Sequence, residues 1–214
     1  MEAGINKDKE MKKILCYGDS NTFGFNPTDN SRYDENTRWA SVLQKILGEE
    51  YKIVNEGMCD RTGFVNNPKG YMFSGPKHFP KIISKAEDID LLILWVGSND
   101  LQNQYDISMG AVEKGLETLV KLGVEKAKNI IIIPSVILSE KVLAGPFSFQ
   151  FNETSVVKSR KVGKIFRTIA NVYKCAFFDV NKIVAPSDFD GLHYDENGHK
   201  LIAENLAEFI KQKF

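Results

Sequence analysis

The stretch Ile14-Leu15-Cys16-Tyr17-Gly18-Asp19-Ser20-Asn21 is an apolar run that ends abruptly in a glycine, an acid and a serine. A short apolar run bounded in this way reads as a buried strand followed by a turn. The turn puts the Ser20 hydroxyl at the C-terminal lip of the strand, where open α/β sheets expose their working groups. A serine there also suits a plain turn or helix-capping role, and to act as a nucleophile it needs a base. The chain has three histidines: His78, His193 and His199. His193, in Asp190-Gly191-Leu192-His193, falls between an expected last strand and the last helix, which in a parallel sheet is the same edge as Ser20. His78 and His199 sit beside or within expected helices and read as surface or satisfied side chains.

Two more loops follow apolar strands and point to that edge. Lys52-Ile53-Val54 leads into Asn55-Glu56-Gly57, and Leu91-Leu92-Ile93-Leu94-Trp95-Val96 leads into Gly97-Ser98-Asn99-Asp100. An acyl-transfer intermediate carries a negative oxygen that requires N–H donors about 2.7–3.1 Å away. The N–H groups of Ser20 and Gly57 and the side-chain amide of Asn99 suit that task. Gly57 equally suits a tight turn at positive φ, and Asn99 a loop-satisfying role. Asp19 and Asp100 read as acceptors of loop N–H groups. Cys59 is a second conceivable nucleophile, but no histidine stands near it in the sequence. Trp39 and Trp95 read as packing residues.

From Lys12 onward, short apolar runs alternate with longer amphipathic stretches. Strands are expected at 12–17, 51–55, 90–96, 129–134 and 176–179, and helices at 38–48, 78–86, 108–127, 153–174 and 196–213. Ser108 and Asp195 stand where N-caps belong. This alternation implies an α/β fold, a three-layer α/β/α sandwich around a parallel sheet of about five strands. Residues 1–11 read as a polar leader and 12–214 as one domain. The long connections at 20–37, 57–77 and 139–150, the last carrying Leu143, Phe147 and Phe149, are expected to wall a pocket.

The four blocks holding Ser20, Gly57, Asn99 and Asp190 with His193 resemble those of the GDSL or SGNH hydrolases, in the family's order and across about residues 12–213. Arg38-Trp39, together with Arg61-Thr62 after Asn55-Glu56-Gly57, is most similar to the arylesterase branch. Asn21, where the family name has leucine, departs from the pattern outside the proton relay. The resemblance implies a flavodoxin-like SGNH hydrolase fold and a serine esterase acting on short acyl or aryl esters. In it Ser20 is the nucleophile, His193 the base, Asp190 rather than Asp188 the orienting carboxylate, and Ser20, Gly57 and Asn99 the oxyanion hole.

Lys plus Arg and Asp plus Glu both number 28, giving a formal charge of zero, which argues against nucleic acid or an anionic membrane as partner. Three cysteines do not suggest a disulfide framework. The apolar stretch near the N-terminus is shorter than the roughly 7–15 residues of a signal-peptide core, so a cytoplasmic location is expected. No metal-ligand spacing, P-loop or dinucleotide glycine pattern occurs, and the expectation is no cofactor and no metal. The expected partner is a small-molecule ester, with homo-oligomerisation left open. The alternatives are a carbohydrate O-acetylesterase of the same mechanism, a flavodoxin-like nucleotide-binding protein, and a binding or scaffold relative without activity.

Overall fold

Lys12–Gly18 forms the first strand, β1, in the computed structural model, which describes residues 11–214. Of the leader expected at 1–11, all but Met11 lies outside the described residues. From Leu15 to the end of β1 every residue is buried, and in β3 (Ile89–Trp95) only Asp90 is not. Unbroken burial of successive residues, whose side chains point to opposite faces, requires cover on both sides of the sheet, as in parallel α/β architectures.

That cover is present. Strands β2 (Tyr51–Gly57), β4 (Ala127–Ile132) and β5 (Ala176–Phe177) complete a parallel sheet of order β2-β1-β3-β4-β5. A single turn, α1 (Ser20–Phe23), follows β1, and five longer helices flank the sheet: α2 (Trp39–Leu47), α3 (Gly75–Lys85), α4 (Met109–Val124), α5 (Glu153–Val172) and α6 (Glu196–Lys213). One packed set joins α2 to α6; the other joins α3 to α4 and α4 to α5. The α/β sandwich expected from the alternating pattern is therefore the observed fold. Among the described residues no helix is long and apolar enough to cross a membrane.

Strand order explains where the site sits. The chain leaves β1 for one edge, then returns to pair β3 on its other side. The crevice at this topological switch opens between the C-terminal ends of β1 and β3. Ser20 directly follows β1 and Asn99 lies just beyond β3, while Gly18 is in register with both Gly57 and Trp95.

The elements differ from expectation at their ends. Helix α3 begins at Gly75 rather than at residue 78, because Pro76 falls in the first turn, where its missing N–H costs nothing. Helix α4 stops at Val124, and β4 already begins at Ala127. Ser108 and Asp195 cap their helices, accepting from Ala111 N at 3.2 Å and Gly198 N at 2.7 Å. The one-turn α1 is too short to leave a periodic signal.

Gly57 is a glycine for a reason other than the expected turn, because its φ is not in the positive range. Helix α1 lies directly on the end of β2, and a Cβ on Gly57 would stand 2.2 Å from the Phe23 nitrogen. Gly57→Ala is expected to lower unfolding stability by about 1–3 kcal/mol through overpacking. In urea titration this appears as a lower midpoint with an unchanged slope.

Candidate active site

Asp19 builds the corner that presents Ser20. Its side chain accepts from Asn21 N at 3.1 Å, and its carbonyl accepts from Thr22 N and Phe23 N at 3.1 and 2.9 Å, closing α1 in one turn. The Asn21 side chain donates to Leu192 O at 3.3 Å, fastening this corner to the loop that carries His193.

That loop is set by Asp190 and Gly191. One carboxylate oxygen of Asp190 accepts from the backbone N–H groups of Leu192 and His193, each at 2.9 Å, and the other lies 2.5 Å from His193 Nδ1. Gly191 has φ of 69°, and a Cβ on it would meet Val142 N at 2.6 Å, while its carbonyl accepts from Ser139 N at 3.0 Å. The loop is thus pinned against residues 139–142. A carboxylate only accepts, so Nδ1 carries the proton and Nε2 is left as an acceptor. Nε2 lies 2.9 Å from Ser20 Oγ. Burial pushes the Asp190 carboxyl up, but the hydrogen bond and charge of His193, with the two N–H groups, outweigh it and hold the group below the usual range. Asp188, the rival carboxylate, is exposed.

The pair opens into a hollow of about 230 Å³ whose walls include Phe25, Asn30, Cys59, Asp60, Asn99 and Phe147. All three long connections contribute to it. The rings of Phe25 and Phe147 stand 4.6 and 5.2 Å from the His193 ring. A wider hollow of about 660 Å³, behind residues 137–144, contains none of Ser20, His193 or Asn99. The Ser20 hydroxyl and the His193 imidazole meet in the smaller one.

Asn99 reaches this hollow with its amide oriented from behind. Its Nδ2 donates to Arg61 O at 3.0 Å and its Oδ1 accepts from Gln102 Nε2 at 3.0 Å, leaving one amide hydrogen for the pocket. Asp100 holds the neighbouring loop by accepting from the N–H groups of Gly63, Phe64 and Val65 at 2.6, 2.7 and 2.9 Å. Burial still pushes its carboxyl up to about 6.

Gly57 is not where the sequence placed it. Its N–H donates to Asn55 Oδ1 at 2.8 Å, and it is absent from the pocket wall. Cys59 and Asp60 occupy that wall instead, and among the described residues neither of their N–H groups, nor that of Ser20, has a hydrogen-bond partner. Asp60 adopts a left-handed φ of 61°, a conformation that aspartate tolerates better than most residues. That tolerance was the only signal available in the sequence. Lys69 on the rim pairs with Asp60 at 2.8 Å.

Cys59 does share the pocket with His193, which sequence distance concealed. Burial, then the charges of Asp60 and Asp19, push its thiol up to about 12, so it is not a thiolate near neutrality. His78 and His199 are buried rather than on the surface. His199 Nδ1 accepts from Trp39 N at 3.4 Å, and its Nε2 has no partner among the described residues. Among the described residues no group of three or more His, Cys, Asp or Glu side chains is placed to hold a metal ion.

A family model described as GDSL-like lipase/acylhydrolase matches residues 16–201. A curated acetylxylan esterase of Xylanibacter ruminicola is 22% identical over 214 residues, covering 93% of this chain and 43% of that protein. The chain therefore spans less than half the length of that relative. A solved carbohydrate acetylesterase family member from Sinorhizobium meliloti superposes with a TM-score of 0.85 at 29% identity, covering 94% of this chain and 98% of the other. The aryl esterase of M. smegmatis gives 0.86 at 24%, covering 95% and 100%.

Burial lowers the pKa of His199 from 6.5 to about 4. Between those values the unfolded chain binds the proton and the folded chain does not, so the stability that His199 contributes is complete above the upper value and lost as pH falls toward the lower. The loss is of order 3 kcal/mol. Urea unfolding across this range is expected to show a shallower acid limb for His199→Asn than for the parent.

Proposed function

The chain belongs to the GDSL-like lipase/acylhydrolase family, and from that premise we propose that it is a serine carboxylic ester hydrolase specific for short acyl groups. The observation that carries this reading is the Ser20 hydroxyl 2.9 Å from His193 Nε2, with Asp190 on the other ring nitrogen. His193 takes the Ser20 proton as Oγ attacks the ester carbonyl, and Asp190 holds the tautomer and stabilises the imidazolium. The proton then passes to the departing alcohol, leaving an acyl-enzyme that water cleaves by the same route.

Negative charge on the intermediate meets three donors in this reading: the Ser20 N–H, the Cys59-Asp60 turn in place of Gly57, and the remaining amide hydrogen of Asn99. Each contributes about 2.7–4 kcal/mol to the transition state. The acyl group lies against Phe25 and Phe147, and the hollow of about 230 Å³ is smaller than the roughly 300–1,000 Å³ of pockets that hold drug-sized ligands. A confined acyl site follows.

Ser20→Ala is expected to reduce p-nitrophenyl acetate turnover at least about 10⁴-fold; retention of the parent rate excludes the assignment. In the parent enzyme, kcat/KM is expected to fall steeply from acetate and butyrate to hexanoate and dodecanoate. A carboxylate at position 102 cannot donate to Asn99 Oδ1 and inverts that amide. Gln102→Glu is therefore expected to cut kcat by up to about 10²-fold with KM little changed, whereas a rise in KM alone contradicts the positioning role.

A further inference from the structure

Asp60 brings a negative charge to the place where the chemistry proposed above gathers another. The turn beyond β2 takes a left-handed φ of 61° at this residue. Glycine or asparagine meets the same backbone demand without a charge. Among the described residues Asp60 is the one carboxylate in the wall of the Ser20 hollow, and Lys69 the one ammonium.

The carboxylate hangs from the same turn as the N–H groups of Cys59 and Asp60. Only Cα and Cβ separate its carbon from the Asp60 nitrogen, so an anion held about 3 Å from that nitrogen stands within roughly 8 Å of the side-chain charge in any rotamer. Ionic screening is incomplete over such a distance. Burial first, and then the charge of Asp60, push the neighbouring Cys59 thiol up to about 12, so the field of this carboxylate reaches the pocket wall. Unbalanced, it opposes the negative oxygen of an acyl-transfer intermediate. Like charges at this separation, near a protein surface, slow such a step about tenfold.

Lys69 meets that charge, its ammonium lying 2.8 Å from Asp60 Oδ2. The pairing is set by Asn67, which is buried and whose amide joins the two backbones: Nδ2 donates to Asp60 O at 2.8 Å, and Oδ1 accepts from Lys69 N at 2.9 Å. Stability does not account for the ion pair, because the two side chains are 55% and 36% exposed and pairs so open to water contribute little to folding. A cation at the edge of a site that gathers negative charge acts on rate instead. We propose that Lys69 is a positioning residue for acyl transfer: it holds the Asp60 carboxylate and balances its charge, so that the Cys59-Asp60 turn presents its N–H groups without an opposing anion. The assignment rests on the esterase reading of the Ser20 pocket and goes beyond it by giving the rim ion pair a part in the rate.

Its test is a double-mutant cycle on p-nitrophenyl acetate turnover. Lys69→Met is expected to lower kcat about tenfold with KM little changed, Lys69→Arg to retain most of the parent rate, and the loss in Lys69→Met to shrink as sodium chloride is raised. In the Asp60→Asn background the same Lys69→Met change is expected to alter kcat less than about twofold. An equal loss in both backgrounds, or a rise in KM alone, overturns the proposal. The second measurement needs no turnover. Iodoacetate, an anion, and neutral iodoacetamide alkylate the same Cys59 thiol, so the ratio of their rates, read by mass spectrometry of the Cys59 peptide, reports charge in the pocket. That ratio is expected to fall several-fold in Lys69→Met, and an unmoved ratio refutes the balance of charge. Should the parent not turn over p-nitrophenyl acetate, the esterase reading has failed, and the alkylation ratio still decides whether Lys69 offsets Asp60.

Discussion

The guanidinium of Arg61 is the constraint on which the C-terminal rim of the sheet depends. It is 1% exposed and donates to Gly18 O at 3.0 Å, to Met72 O at 3.2 Å and to Glu56 O. Those carbonyls belong to the last residue of β1, the penultimate residue of β2 and the far side of the loop between β2 and α3. The Arg61 carbonyl accepts the Asn99 amide, adding the end of β3. Burial lowers the pKa of the cation. Three carbonyls and the face of the Tyr17 ring, 4.4 Å away, offset much of the desolvation that a buried charge incurs. The planar fork matters, because a lysine ammonium has no means of reaching divergent acceptors in one plane.

Buried carboxylates do for the loops what Arg61 does for the strands. Asp100 gathers three successive N–H groups and so shapes the turn after Arg61. Asp190 gathers two and presents its second oxygen to the imidazole. In both cases backbone N–H groups bind the carboxylate, to which Asp190 adds the imidazole of His193, and this fixes loop conformation along with charge. Only one of the two, Asp190, touches the histidine beside Ser20. Asp100 is wholly structural, in keeping with its reading from the sequence.

Ser20, His193 and Asn99 were legible because each sits immediately beyond an apolar run or before a helix, and strand order in a parallel sheet does the rest. Choosing Asp190 over Asp188 came through family resemblance; the geometry explains it, since only Asp190 is placed to accept the N–H groups of its own loop. Gly57 was misread for a physical reason. A glycine beside a strand end serves equally by a free N–H or by a missing Cβ, and nothing local distinguishes the two. Here the missing Cβ decides, to let α1 rest on β2. Asp60, Lys69 and Gln102 were invisible because their places depend on loop conformations that side-chain periodicity does not encode. The short β5 and the early start of α3 reflect the same limit at element ends.

Ser20 and His193 are 173 positions apart, so the hydrogen bond that readies the nucleophile in the proposed mechanism closes nearly the whole chain into one loop. Its entropy is recovered only when the intervening strands have paired. Partly folded forms that hold β1 and β2 together therefore have the serine without the imidazole, and on the proposed mechanism are chemically silent. Turnover becomes a reporter of complete topology: a gain of secondary structure during refolding precedes any gain of reactivity, and the interval between them times the docking of the final loop.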